Sequence, residues 1–247
     1  MQSIVITLDG PAGSGKSTVA GQLARRLGLE LLDTGAMYRG LTAHCLDQKL
    51  DPTHDAAAVV RLAQQTHVSF DWMVSPPRLC VDGRDVTQRL RDPDVTASVS
   101  DVSCLAPVRE VMVQAQRRMA AEHPKLVTEG RDQGSVVFPD AQVKFYLDAN
   151  PKVRAHRRTQ QLQSLGKSAD DAQVLERITK RDHQDTHRQD GPLICPDDAV
   201  RIDTSNLTLE QVVNVLEDVV RQRVGGDLPD VTPVPPGGGG GARITSC

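Results

Sequence analysis

From Ser3 to Leu8 the chain runs through β-branched and aliphatic residues and then meets Asp9 and Gly10, a pattern that predicts a buried strand opening into a glycine loop. Beyond the loop, Val19, Ala20, Leu23, Ala24 and Leu27 recur at helical spacing, Gln22, Arg25 and Arg26 face away, and Gly28 stands where the helix should end. Short apolar runs return at Leu126 to Thr128, Val143 to Leu147 and Val200 to Ile202, each too brief for a helix and separated by helical patterns. Such alternation predicts an α/β fold with a central parallel sheet between helical layers. Thr208 and Gln211 have the spacing of a capping box, followed by Leu209, Val212, Val213, Leu216, Val219 and Val220 as the buried stripe of a last helix.

Two stretches break this rhythm. Between about Val68 and Thr87, apolar runs surround Pro76-Pro77 and an Asp82-Gly83 turn signal, which predicts a small β insertion. From Pro151 to about Asp190 the chain is charged and helical with few large apolar residues, the texture of a mobile cover and not of core. Past Gly225 the PVPPGGGGG stretch lacks the apolar content to repay ordering, so residues 226–247 are expected to form a disordered tail.

Composition narrows the chemistry. The chain has 247 residues and a net charge of −3, and only 2% of its residues are aromatic. Nearly balanced charge argues against a surface that coats nucleic acid, and scarce aromatics argue against a stacking platform for single strands. The five cysteines are odd in number and never fall in C-x-x-C spacing, and the seven histidines are scattered without a metal pattern. With no basic leader and no apolar run of transmembrane length, the expectation is a cytoplasmic protein that does not associate with membranes.

Residues 10–17 read GPAGSGKS, a full match to the phosphate-loop pattern G-x-x-x-x-G-K-[ST]. Its glycines let backbone N–H groups turn toward phosphate, and Lys16 brings a charge to the β- and γ-phosphates. Gly10, Pro11, Ala12, Gly13, Ser14, Gly15, Lys16, Ser17 and Thr18 are therefore the candidate ATP-binding residues, with Ser17 as the Mg²⁺ ligand. The loop alone does not distinguish a GTPase, a motor and a small-molecule kinase. The guanine motif N-K-x-D is absent. Arginine segments are present instead: Asp33-Thr34-Gly35-Ala36-Met37-Tyr38-Arg39, then Ser100 and Arg109, then Glu129-Gly130-Arg131-Asp132-Gln133-Gly134, and finally Arg181-Asp182-His183-Gln184-Asp185-Thr186-His187-Arg188. On a helix, Arg181, Asp185 and Arg188 would share one face at i, i+4 and i+7.

These segments, from about Ile4 to about Arg221, resemble bacterial cytidylate kinases, whose family carries D-[ST]-G-x-x-Y-R, G-R-D-x-G and R-D-x-x-D-x-x-R. The resemblance implies a P-loop three-layer sandwich over residues 1–225, with a nucleoside-monophosphate-binding insertion at about 34–110 and a helical lid at about 152–190. It implies ATP- and Mg²⁺-dependent phosphorylation of CMP and dCMP by a monomer. Arg39, Arg131 and Arg188 would hold the CMP phosphate, and Arg181 and Asp185 would address the sugar or organise the phosphate side. Thr34, Ser100, Arg109 and Asp132 would read the cytosine edge. Lys16, Arg131, Arg188 and a lid arginine, Arg157 by preference, would stabilise charge on the transferring group. Thr34 stands where serine is frequent, and Glu129 and Ser135 where aspartate and threonine are; none of these removes a charge. A UMP kinase, or another small-acceptor kinase, is the alternative within the class. A nucleic-acid-associated NTPase is the alternative outside it.

Overall fold

The computed structural model describes residues 3–74, 76–164 and 166–229. Strands β1 (Ile4–Asp9), β2 (Glu30–Asp33), β6 (Lys125–Glu129), β7 (Val143–Asp148) and β8 (Val200–Asp203) form one sheet in the order β2-β6-β1-β7-β8, and every pairing is parallel. A parallel sheet must be covered on both faces. Val5 of β1 packs against one layer while Ile4, Ile6 and Leu8 pack against the other. Helices α1 (Lys16–Leu27) and α8 (Leu209–Val224) supply the second layer. Helices α2 (Thr34–Asp47), α3 (Ala56–Gln65), α4 (Pro93–Ser103) and α5 (Ala106–Glu122) supply the first. The expected three-layer α/β sandwich is thus the observed architecture.

The β insertion is present as an antiparallel sheet of β3 (Val68–Asp71), β4 (Arg78–Val81) and β5 (Arg84–Asp85). Asp82 and Gly83, with φ of 49° and 78°, make the tight turn between the last two strands. Leu79 and Val81 join the cluster that contains Leu32 and Leu126 of the main sheet, so the insertion shares the core instead of forming its own. At its margin Trp72 stacks on His123 with ring centroids 4.4 Å apart, and His123 Nδ1 lies 2.7 Å from Glu30 Oε2.

Helices α6 (Pro151–Ser164) and α7 (Asp171–His187) pair over a small apolar cluster of Ala155, Val174 and Ile178. The sequence spacing put Arg181, Asp185 and Arg188 on one helical face, and for Arg188 this needs correction. The α-helix ends at His187, and Arg188 has φ −65° and ψ 145°, an extended conformation that redirects its side chain. The expected tail, 226–247, falls largely on residues 230–247, which lie outside the described residues; Gly225–Asp227 form a 3₁₀ turn.

The capping box of α8 is formed: Gln211 N–H donates to Thr208 Oγ1 at 3.2 Å, and Thr208 N–H donates to Gln211 Oε1 at 2.9 Å. Leu216, on the same helix, is fully buried. The two contributions should separate in urea denaturation. Thr208→Ala is expected to cost about 1 kcal/mol, and Leu216→Ala about 2–5 kcal/mol through the cavity it leaves.

Candidate active site

Because the five strands run parallel, their carboxyl ends meet at one edge of the sheet, and the loops that follow them build the site there. The loop after β1 carries the phosphate-binding motif. Gly10 is held so close to β7 that an added Cβ would lie 2.0 Å from the Leu147 carbonyl oxygen, and Gly13 and Gly15 have φ of 77° and 90°. These three positions require glycine. Lys16, at the start of α1, is buried, with Nζ donating to the Pro11 carbonyl at 2.8 Å and to Ser14 Oγ at 3.3 Å. Burial first, and then Arg131, pull its pKa down to about 7, against the opposing pull of Glu129 and Asp9. Ser17 and Thr18 are exposed beside it, and Ser17 Oγ donates to Glu129 Oε1 at 2.6 Å.

Glu129 closes β6, and the turn after it carries Arg131 and Asp132. Arg131 Nε donates to Asp185 Oδ2 at 2.7 Å, and although burial is the largest influence and opposes its charge, Asp185, Glu129 and Asp182 together raise the guanidinium pKa. Arg181 Nε stands 3.9 Å from the same oxygen; burial, then Arg131, lower its pKa to about 10. Arg188, although beyond the helix, still reaches the cluster, with NH2 at 3.9 Å from Asp132 Oδ1 and NH1 at 3.8 Å from Asp185 Oδ1. Arg181 Nε and Arg188 NH2 are buried without a hydrogen-bond partner. An unpaired buried guanidinium N–H is costly, and an anion seated among these arginines would remove that cost.

Arg109 and Asp132 form a buried ion pair, and Tyr38 Oη lies 3.5 Å from Arg109 NH1. Ser100 of α4 lines a cavity of about 210 Å³ with Asp101, Cys104, Gln184, Asp185 and Arg188. Thr34 Oγ1 donates to the Glu129 carbonyl at 2.7 Å, so its hydroxyl retains acceptor capacity only. Arg39 donates to the Leu90 carbonyl at 3.3 Å and to Thr96 Oγ1 at 3.2 Å. Burial and then Arg158 lower its pKa, and burial and then Arg91 lower that of Arg158.

Arg157, the lid arginine preferred from sequence, is placed elsewhere. It donates to Thr204 Oγ1 at 3.2 Å and to the Thr204 carbonyl at 2.6 Å, after β8. Two of its neighbours on α6 lie toward the phosphate loop and the arginine cluster. Arg154 lies on the phosphate loop, donating to the Ala12 carbonyl at 2.8 Å and to Asp182 Oδ2 at 2.6 Å, while Asp182 Oδ1 accepts from Ala12 N–H at 3.0 Å. Arg158, one helical turn on from Arg154, joins the electrostatic neighbourhood of Arg39 and Arg91. Sequence reasoning missed Arg154 and Arg158, for which the available signal was their i, i+4 spacing, and gave no role to Asp33 and Asp182, although both stand in the motif segments. Asp148, Asn150, Arg154, Arg201 and Asp203 border a second cavity, of about 810 Å³, at the ends of β7 and β8.

The family model described as "Cytidylate kinase" matches residues 6–222. The chain belongs to the cytidylate kinase family. It is 46% identical over 220 residues to a cytidylate kinase of Mycobacterium avium (strain 104), covering 89% of this chain and 96% of that one. It is 41% identical over 226 residues to the cytidylate kinase of Caldanaerobacter subterraneus subsp. tengcongensis, covering 92% and 98%. Among solved structures, an uncharacterized protein from Eubacterium ventriosum, 13% identical, superposes with a TM-score of 0.50 over 90% of this chain and 100% of that one, a likeness of fold. Membership of the cytidylate kinase family makes the chain a nucleoside monophosphate kinase. Among the described residues, no helix is long and apolar enough to cross a membrane.

One carboxyl pair carries a pH signature. Burial, then Glu129, push the Asp33 carboxyl well above the ordinary carboxylate range. An acid whose pKa is raised by folding costs stability as pH climbs from its unfolded value through its folded one. Asp33→Asn keeps the oxygen that accepts from Ala36 N–H at 2.8 Å and removes that cost. Without nucleotide, its melting temperature relative to the wild type should therefore be more favourable near pH 8 than near pH 5, as read by calorimetry.

Proposed function

We propose that the chain transfers the γ-phosphoryl group of ATP to CMP and dCMP, releasing ADP and CDP or dCDP. The observation that carries this reading is the convergence of the phosphate loop with Arg131, Arg181 and Arg188, two of which hold buried N–H groups without partners. Two polyanions must approach in line, so the chemistry demands cations more than a general base. The acceptor phosphate oxygen is already ionised near neutrality and needs no deprotonation.

In this reading the loop from Gly10 to Thr18 holds the triphosphate. Lys16 neutralises charge on the transferring group, and the cavity at the ends of β7 and β8 takes the donor base. Arg39, Arg131 and Arg188 grip the acceptor phosphate. Asp185 fixes Arg131 and, with Arg181, faces the sugar. Ser100, Arg109 and Asp132 present donors and acceptors to cytosine, with Thr34 as an acceptor. Discrimination between bases needs such a buried polar set, because an analogue that mismatches it leaves its members unpaired. Residues 34–110 serve as the acceptor-binding insertion and about 152–190 as the lid.

Mg²⁺ fits the residues beside the loop. The Ser17 hydroxyl, the Glu129 carboxylate and the neighbouring Asp33 make a set of hard oxygen donors next to the phosphates. Bound there with the nucleotide, the ion would neutralise phosphate charge. A monomer working on nucleotides in the cytoplasm completes this reading.

A coupled assay of CMP, dCMP, UMP and AMP with ATP tests the reading. CMP and dCMP should be the preferred acceptors, and Lys16→Ala or Arg131→Ala should lower turnover by at least ~10²-fold with folding intact. Nucleic-acid-stimulated hydrolysis without phosphorylated acceptor would instead indicate an NTPase. The lid arginines also separate: Arg158→Met should reduce kcat by roughly 10²-fold, and Arg157→Met should act mainly on the KM for ATP. A larger kcat loss in the Arg157 variant would reverse that assignment.

A further inference from the structure

Asp9 is the last residue of β1 and immediately precedes the phosphate loop. It is 1% exposed. Its Oδ1 accepts the backbone N–H of Gln133 at 2.8 Å, and its Oδ2 accepts that of Gly134 at 2.7 Å. Those two amides begin the π-helical turn Gln133–Val137, directly after Arg131 and Asp132. One carboxylate therefore ties the root of the loop that holds the donor to the turn that holds the acceptor.

The same junction is tightened from other directions. Gly130 N–H donates to the Leu8 carbonyl at 3.0 Å. Gln133 accepts from Thr128 Oγ1 at 2.8 Å and donates to Gln116 Oε1 at 3.2 Å. Gly134 sits so close that an added Cβ would lie 2.9 Å from Thr7 Oγ1 and 3.4 Å from Asp9 Oδ2. A buried carboxylate is an expensive way to satisfy two backbone N–H groups. It nonetheless offers two ionised acceptors on one rigid side chain, a combination that a neutral amide lacks.

We propose that Asp9 is a positioning residue for phosphoryl transfer, holding the Arg131-Asp132 turn at its working distance from the phosphate loop. This rests on the reading that Arg131 and Asp132 bind the acceptor. Both Asp9 oxygens are engaged by backbone amides, and the side chain is closed to solvent. It acts through the turn, as the supporting shell of a site must when small displacements degrade in-line geometry.

The ionised form is the one that accepts two N–H groups. Burial lifts the Asp9 pKa to about 6; the Gly134 and Gln133 amides lower it, Asp132 raises it and Lys16 lowers it. Lys144 of β7 also borders the junction, its stem beside Gly134, and Cys195 approaches from the segment before β8. Protonation would replace one accepted bond with a hydroxyl, and Asp9→Asn places an amide N–H₂ at the same point at every pH.

The test compares kcat and both KM values for wild type and Asp9→Asn between about pH 5 and about pH 8. Near the upper limit the variant should lose on the order of tenfold or more in kcat. Its KM for CMP should rise several-fold, while its KM for ATP stays within about twofold. The wild-type-to-variant ratio of kcat cancels the ionisation of the substrates, and it should shrink toward one as pH falls through about 6. A ratio near one throughout, a pH-independent ratio, or equal effects on both KM values would overturn the proposal. Should the variant not fold, the Gln133 and Gly134 amide resonances of the wild type should titrate together with a midpoint near 6, and their indifference to pH would equally overturn it. Arg131→Ala is assayed in parallel. If it is inactive while Asp9→Asn is normal, the Asp9 proposal fails and the acceptor reading stands; if Arg131→Ala is fully active, the acceptor reading itself fails.

Discussion

Crowding of like charge is the constraint on which this molecule depends. Lys16, Arg39, Arg131 and Arg181 lie near enough to one another that each of Lys16, Arg39 and Arg181 is disfavoured in its charged form by another cation as well as by burial. A cluster of this kind is held only by a frame that does not yield, and the frame is the carboxyl edge of a parallel sheet. Asp185 bonds Arg131, while Asp182 joins Arg154 to the phosphate loop. Two carboxylates less than one helical turn apart on α7 thus restrain two cations from other segments, Arg131 and Arg154.

The layers differ in what holds them together. Core residues concentrate in two clusters on opposite faces of the sheet, whereas α6 and α7 share only a small apolar cluster of their own. What binds those helices to the remainder is largely polar, through Arg154, Asp182, Arg157 and Thr204. Polar contacts exchange readily with water and ligand, and apolar burial does not. The two core layers and the α6–α7 pair are therefore held by different kinds of interaction.

Much of the frame was legible in the sequence, because a short apolar run followed by a glycine loop and an amphipathic helix leaves few alternatives. The β1-loop-α1 unit, the strands at β6, β7 and β8, the β insertion and the capping box at Thr208 all follow from local pattern. The end of α7 was not legible: nothing in the spacing of Arg181, Asp185 and Arg188 shows that the backbone leaves the helix at Arg188. Nor could spacing choose among Arg154, Arg157 and Arg158. Which of three arginines faces the loop depends on how α6 is rotated against α7, and that rotation is set by Ala155, Val174 and Ile178 in three dimensions. Asp33 and Asp9 stand in segments the sequence picks out, but their roles were not legible, for a related reason. Their importance comes from partners about a hundred or more residues away, Glu129 for one and Gly134 for the other.

The chain has a single tryptophan, and its position sets what light can report about this protein. Trp72 packs on His123 at the junction of the insertion with the main sheet, against the larger core cluster and not the one shared by α6 and α7. Its intrinsic emission is therefore a gauge of that junction: a domain that breathes at the insertion changes its spectrum, whereas a rearrangement confined to α6 and α7 passes optically unseen. Following those helices by fluorescence would require a dye attached there, and the native indole would then serve as the stationary reference.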